Sequence, residues 1–222
     1  MHSLHFRSLE VRVLSGDAVL EGDLTIPDAA LGLVIFAHGS GSSRHSPRNR
    51  SVAEFLRKRG LATLLFDLLT AEEAYIDAQG GQLRFNIPFL TTRLVDATRF
   101  AIHHPAATHL RPGYFGASTG AAAALAAAAR LPEKISAVVS RGGRSDLADD
   151  LLARVRAPVL FIAGGEDRPV IQWNEQSMNQ LPGIAEMRII PGADHLFTQP
   201  GTLAAAASLA ADWFCKYLSA EE

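Results

Sequence analysis

Residues 112–129 read PGYFGASTGAAAALAAAA. The stretch opens as a short apolar run and ends in alanines, the residues of highest helix propensity. The joint between them, Gly116-Ala117-Ser118-Thr119-Gly120, matches G-x-S-x-G. A strand before the serine and a helix after it form the setting in which this pentapeptide carries chemistry. The sharp bend holds the serine in a strained backbone and presents its hydroxyl at the sheet's edge. Gly116, Ala117 and Gly120 let strand and helix approach each other. The competing reading is a serine that merely caps the following helix. The strand–turn–helix context favours the first, so Ser118 is the candidate nucleophile.

Working outward, apolar runs alternate with helical patterns. HFRSLEVRV and AVLEGDLTI look like an antiparallel pair turning at Ser15-Gly16-Asp17. LGLVIFAH, LATLLFDLL, KISAVVS, APVLFIAG and AEMRIIPG read as further strands. Helices are predicted from about Arg48 to Arg59, closed by Gly60, from about Pro88 to His103, and from about Thr202 to Leu218. Fully apolar strands alternating with helices predict a parallel sheet covered on both faces, with functional loops at the strands' carboxyl ends. The longest segment without a pattern is Thr70 to Asn86, read as an exposed loop or a mobile flap.

A serine hydroxyl needs a base to take its proton, and the base needs a third group to orient it. After a nucleophile turn of this kind the chain order is serine, acid, histidine. FIAGGEDRPV places Glu166 and Asp167 just past a strand; a helix cap before Pro169 is the other use of Asp167. PGADHLF places His195 on a late loop. It is the only one of eight histidines after Asp167. Asp194 is a poor acid, since a carboxylate seldom reaches the ring of its own sequence neighbour. The oxyanion donors expected with such a turn are the Thr119 N–H and an N–H in His38-Gly39-Ser40-Gly41, here Ser40. That loop also imitates a dinucleotide fingerprint, but Arg44 stands where the third glycine is needed. No P-loop and no close metal-ligand cluster is present, so no cofactor and no metal are expected.

The series HGSGSSRHSPRN, GYFGASTGAAAAL, FIAGGEDRPV and PGADHLF resembles the α/β-hydrolase superfamily and, within it, the dienelactone hydrolase-like branch. The resemblance runs from about Asp23 to Phe214. It implies an α/β-hydrolase fold with a mostly parallel sheet of about eight strands, helices on both faces and no large cap. It also implies a triad of Ser118, Asp167 and His195, which selects Asp167 over Glu166. One departure stands out: the dienelactone hydrolases proper carry cysteine at the turn, and this chain carries serine. General carboxylester hydrolysis is therefore the broader expectation.

Composition bounds the remaining choices. The 222 residues suggest one domain over positions 1–222, and 48% hydrophobic residues exclude overall disorder. A net charge of -2 gives no electrostatic case for nucleic acid or an acidic membrane. The single cysteine, Cys215, rules out an intrachain disulfide and fits a reducing compartment. The first residues lack the apolar core of a signal peptide, and Gly120–Ala129 is shorter than the roughly 20 residues of a membrane span. The expectation is a cytoplasmic protein with a small ester-like substrate. Arg44 and Arg141 are the candidates to bind a substrate carboxylate, against the plainer reading of surface arginines, and Phe197 either walls an acyl pocket or packs in the core. The alternatives are a perhydrolase or C–C lyase on the same triad, or a binding protein that keeps the fold without catalysis.

Overall fold

The computed structural model describes residues 5–219. Strands β1 (Phe6–Ser15) and β2 (Ala18–Pro27) form an antiparallel hairpin in which Ser15 faces Ala18. Gly16 closes it at φ +58°, the left-handed backbone that two-residue hairpins need. Five strands follow that are buried along their whole length: β3 (Leu33–Ala37), β4 (Ala62–Phe66), β5 (Pro112–Ala117), β6 (Val138–Arg141) and β7 (Val159–Gly164). β8 (Ala185–Ile190) sits at the far edge and is partly exposed. The eight strands lie in the order β1-β2-β4-β3-β5-β6-β7-β8. From β4 to β8 every neighbouring pair is parallel, as unbroken apolar runs predict.

Helix α1 (Pro47–Lys58) is capped by Ser46 and contacts the final helix of the chain, Thr202–Leu218, on one face of the sheet. The opposite face carries the helices at Ile87–His103 and Thr119–Arg130. Each face has its own apolar core. The chain leaves β3 toward one face and β5 toward the other, although β3 and β5 are neighbours. A crevice must open between their outgoing loops, and such switch points are where open α/β sheets bind ligands. No helix among the described residues is long and apolar enough to cross a membrane.

The segment from Thr70 to Asn86 departs from its reading as an irregular loop. It forms α2 (Ala71–Gly80) and a 3-10 turn at Leu83–Phe85. Thr70 accepts the Glu73 N–H while the Glu73 carboxylate accepts the Thr70 N–H. This reciprocal T-x-x-E box was available in the sequence. It was obscured because α2 buries only Asp77 and so shows no apolar stripe. In chain order, the helices after α2 are α3 (Ile87–His103), α4 (Thr119–Arg130), α5 (Asp149–Leu152), α6 (Arg168–Met178) and α7 (Thr202–Leu218).

Candidate active site

Ser118 is the hinge between β5 and α4. It has φ +51° and ψ -122°, a combination that costs a non-glycine residue about 1–3 kcal/mol and survives only where its surroundings enforce it. The enforcement is visible. The Ser118 N–H donates to Arg141 O, and its carbonyl accepts from the amides of Ala121 and Arg144. Small residues make the bend fit: a Cβ on Gly116 would lie 2.4 Å from Ala121 Cα, and one on Gly120 2.2 Å from Ala37 O. The Gly120 contact also clamps the start of α4 to the end of β3, bringing the loop after β3 beside the serine.

His195 Nε2 lies 3.2 Å from Ser118 Oγ, and its Nδ1 lies 2.6 Å from Asp167 Oδ2. Three loops, after β5, β7 and β8, therefore converge on one hydrogen-bonded chain. Asp167 stands at the N-cap position of α6 but makes no side-chain cap, so its carboxylate is turned to the imidazole instead. Glu166 is exposed on the same loop. Asp194 is not part of the chain of three. It accepts the Leu196 and Thr198 amides and the Thr198 hydroxyl, bonds that hold its carboxyl below the usual range and shape the loop carrying His195. A hydroxyl bonded to an imidazole that is oriented by a carboxylate is an arrangement that can deprotonate the hydroxyl.

Ser40 and Thr119 both line a cavity of about 610 Å³ on the β3–β4 side of Ser118. Gly39 packs against the serine, where an added Cβ would meet Ser118 Cβ at 3.2 Å. His38 braces this loop. Its Nε2 accepts the Leu68 N–H at 3.0 Å, so Nδ1 carries the proton and donates to Gly39 O at 3.0 Å. Burial pushes the His38 pKa below its usual 6.5. Folded His38 thus binds fewer protons than unfolded His38, and stability present above pH 6.5 is lost as pH falls through and below that value. Urea unfolding of wild type and His38→Asn between pH 7 and 5 should show a steeper loss in the wild type. The excess is at most about 1.4 kcal/mol per pH unit.

Arg44 lines the cavity but is ion-paired with Asp67, and its backbone N–H donates to the same carboxylate at 2.7 Å. It forms a wall already neutralised, not a free cation. Phe197 does not line that cavity. It is 3% exposed and packs into the core under α7, the core-packing alternative to a pocket wall. Its backbone is left-handed at φ +58°, which no local sequence pattern announced. Arg141 is buried, with its guanidinium 5.3 Å from the Phe197 ring. Among the described residues, no group of three or more His, Cys, Asp or Glu is placed to hold a metal ion.

A family model described as an alpha/beta hydrolase domain matches residues 30–210. The chain belongs to the α/β-hydrolase family. The crystal structure of a dienelactone hydrolase from Anabaena variabilis is 55% identical to this α/β-hydrolase, with a TM-score of 0.94 over 96% of this chain and 99% of that one. That likeness places the chain in the dienelactone hydrolase-like branch. Est1E from Butyrivibrio proteoclasticus, 15% identical with a TM-score of 0.78 over 93% of this chain and 98% of that one, shares the fold. A Mycobacterium tuberculosis protein provisionally named a phosphoribosyl transferase is 51% identical over 96% of this chain and 47% of its own length. The α/β-hydrolase chain thus spans about half the length of the curated relatives it matches.

Proposed function

We propose that this α/β-hydrolase is a serine hydrolase acting on a carboxylic ester, thioester or lactone. The observation that carries the proposal is the Ser118–His195–Asp167 chain, at 3.2 and 2.6 Å, built on a strained turn. His195 Nε2 takes the Ser118 proton as Oγ forms a bond to the substrate carbonyl carbon. The carbonyl oxygen becomes an oxyanion that accepts from the Ser40 and Thr119 amides. Asp167 keeps the proton on His195 Nδ1 and stabilises the imidazolium. The carbon–leaving-group bond then breaks, and His195 returns the proton to the departing atom. Water, deprotonated by His195, attacks the acyl-serine and releases the acid, and the proton returns to Ser118. The partner is a small molecule, and the proposed site is inside the cell.

The leaving group must face His195, which protonates it. The acyl group therefore extends the other way, into the cavity between Ser40 and α2. Leu68, Leu69 and Leu90 contribute its apolar surface, and Ala74 and Ala78, one helical turn apart on α2, line the far wall. Its cations are committed: Arg44 to Asp67 and Arg84 to Asp77, the latter at 2.5 Å. An uncharged acyl chain suits such a lining. The same pairing supports hydrolysis over the transferase name of the longer relative, since a phosphate would find no free arginine in the cavity. The double variant Ala74→Leu/Ala78→Leu is expected to shift the octanoate-to-acetate ratio of kcat/KM down by about tenfold or more, the scale on which pocket size discriminates.

The direct test is hydrolysis of p-nitrophenyl acetate, butyrate and octanoate by wild type and Ser118→Ala side by side. Turnover that vanishes in the variant supports the proposal. Equal turnover by both proteins would remove it.

A further inference from the structure

The buried threonines among the described residues show where such a hydroxyl normally finds its bond. Thr91, Thr98 and Thr202 donate to the carbonyls of Ile87, Leu94 and Gln199. Thr63 Oγ1 accepts from Arg57, and Thr25 Oγ1 pairs with Ser8. Thr119 is the exception. It is 3% exposed, and its Oγ1 is buried without a hydrogen-bond partner. Its place in the chain accounts for this. It is the first residue of α4, so the residues three and four positions back belong to β5 and not to a helical turn. An orphaned hydroxyl in the interior is costly, and valine has nearly the same shape without that cost. The fold alone gives no reason for the hydroxyl, and the reason lies in the site.

Thr119 follows Ser118 directly and lines the cavity of about 610 Å³. Other polar side chains of that lining are occupied. His38 bonds the Leu68 N–H and Gly39 O, Arg84 holds Asp77, and Arg44 is met by Asp67 and Asp23. In helical backbone the Cα–Cβ bond lies nearly eclipsed with the N–H of the same residue. Oγ1 also stays within about 3–4 Å of its own N in every rotamer. An anion that accepts the Thr119 N–H is therefore within reach of the Thr119 hydroxyl. No hydrogen bond fixes that hydroxyl, so turning it toward the anion breaks none. The position is the amino end of α4, where backbone dipoles favour negative charge.

We propose that the Thr119 hydroxyl is a third donor to the oxyanion, beside the Thr119 and Ser40 amides, and so a further catalytic residue. The inference rests on the serine hydrolase reading above. As Ser118 Oγ bonds to the carbonyl carbon, the π pair of the carbonyl moves onto its oxygen. Thr119 Oγ1–H donates to that oxygen and keeps its proton. The bond strengthens as charge develops, so it lowers the barrier more than it tightens substrate binding.

The test compares wild type, Thr119→Val and Thr119→Ser on p-nitrophenyl butyrate. It adds inhibition by butyl trifluoromethyl ketone, which Ser118 converts to an oxyanionic hemiketal. Thr119→Val keeps the backbone N–H and should lower kcat by about 100-fold, the scale of one lost oxyanion donor, with KM within about twofold of wild type. The inhibition constant of the ketone should rise by a similar factor. Thr119→Ser should keep kcat within about fivefold of wild type, since its hydroxyl has the same donor. The urea midpoint of Thr119→Val should equal or exceed that of wild type, because no bond is lost. A kcat for Thr119→Val within about threefold of wild type overturns the inference. So does a fall in kcat with unchanged ketone affinity, or a Thr119→Ser as slow as Thr119→Val. A destabilised or unfolded Thr119→Val would give the hydroxyl a structural bond and overturn it as well. Ser118-dependent turnover that Thr119→Val leaves unchanged sinks this inference alone. Turnover that survives Ser118→Ala sinks the serine hydrolase reading instead. If wild type does not turn over p-nitrophenyl butyrate, the rate of fluorophosphonate labelling of Ser118 takes the place of kcat. A slowed Thr119→Val then supports the inference, and an unslowed one overturns it.

Discussion

Ser118→Ala is expected to lower kcat toward p-nitrophenyl esters by about a millionfold, with no accompanying loss of fold. The rate effect follows from chemistry: without Oγ no acyl-enzyme forms, and His195 has no proton to take. The structural effect is small for separate reasons. Among the described residues the Ser118 side chain makes one hydrogen bond, to His195, while the bonds that enforce the turn use its backbone. Alanine and serine are strained alike at φ +51°, so the substitution neither relieves nor adds backbone cost. Urea midpoints of the two proteins should agree within about 0.5 kcal/mol of unfolding free energy. A rate loss accompanied by unfolding would mean the side chain holds the turn; a rate retained in a folded variant would move the chemistry elsewhere.

Asp167→Asn is expected to cost about ten-thousandfold in kcat. The side chain is 11% exposed, and its carboxylate accepts from His195 Nδ1 at 2.6 Å. Asparagine is nearly the same shape, but its amide can donate to Nδ1. The imidazole proton then moves to Nε2, which can no longer accept from Ser118. Geometry is preserved and the base is lost. Glu166→Gln is the matched control, since Glu166 is exposed one residue away, and its kcat should stay within a few-fold of wild type. A kcat for Asp167→Asn within tenfold of wild type would show that another group orients the histidine.

Much of this arrangement was legible because it is local. The elbow announces itself through small residues between a strand and a helix, and the strands through unbroken apolar runs. The order serine, acid, histidine then places Asp167 and His195 on loops at one edge of the sheet, and the resemblance selects Asp167 from its neighbour. Other features depend on partners distant in the chain. The Arg44 charge is cancelled by Asp67, 23 positions later, and no pattern in the Arg44 loop indicates that. Arg141 reads like Arg144 in sequence. Yet Arg144 is held by Asp146 and lies 4.3 Å from the Trp173 ring, while Arg141 is sealed under Phe197 with no acid. The difference comes from the alternation of faces along the end of β6, which becomes decisive only once α1 and α7 are known to cover one of them. Helix α2 was missed for the opposite reason. Its signal was local, a capping box, but its lack of a buried face removed the periodicity that usually draws attention to a helix.

The most direct test of the central claim is labelling with a fluorophosphonate, followed by mass-spectrometric mapping of the adduct. An unactivated serine reacts negligibly, so covalent modification reports the base and its orienting acid together, whatever the natural substrate. One adduct is expected, on Ser118, formed rapidly in wild type, greatly slowed in Asp167→Asn and absent in His195→Ala. An unlabelled but folded wild type, or an adduct on another residue, would contradict it.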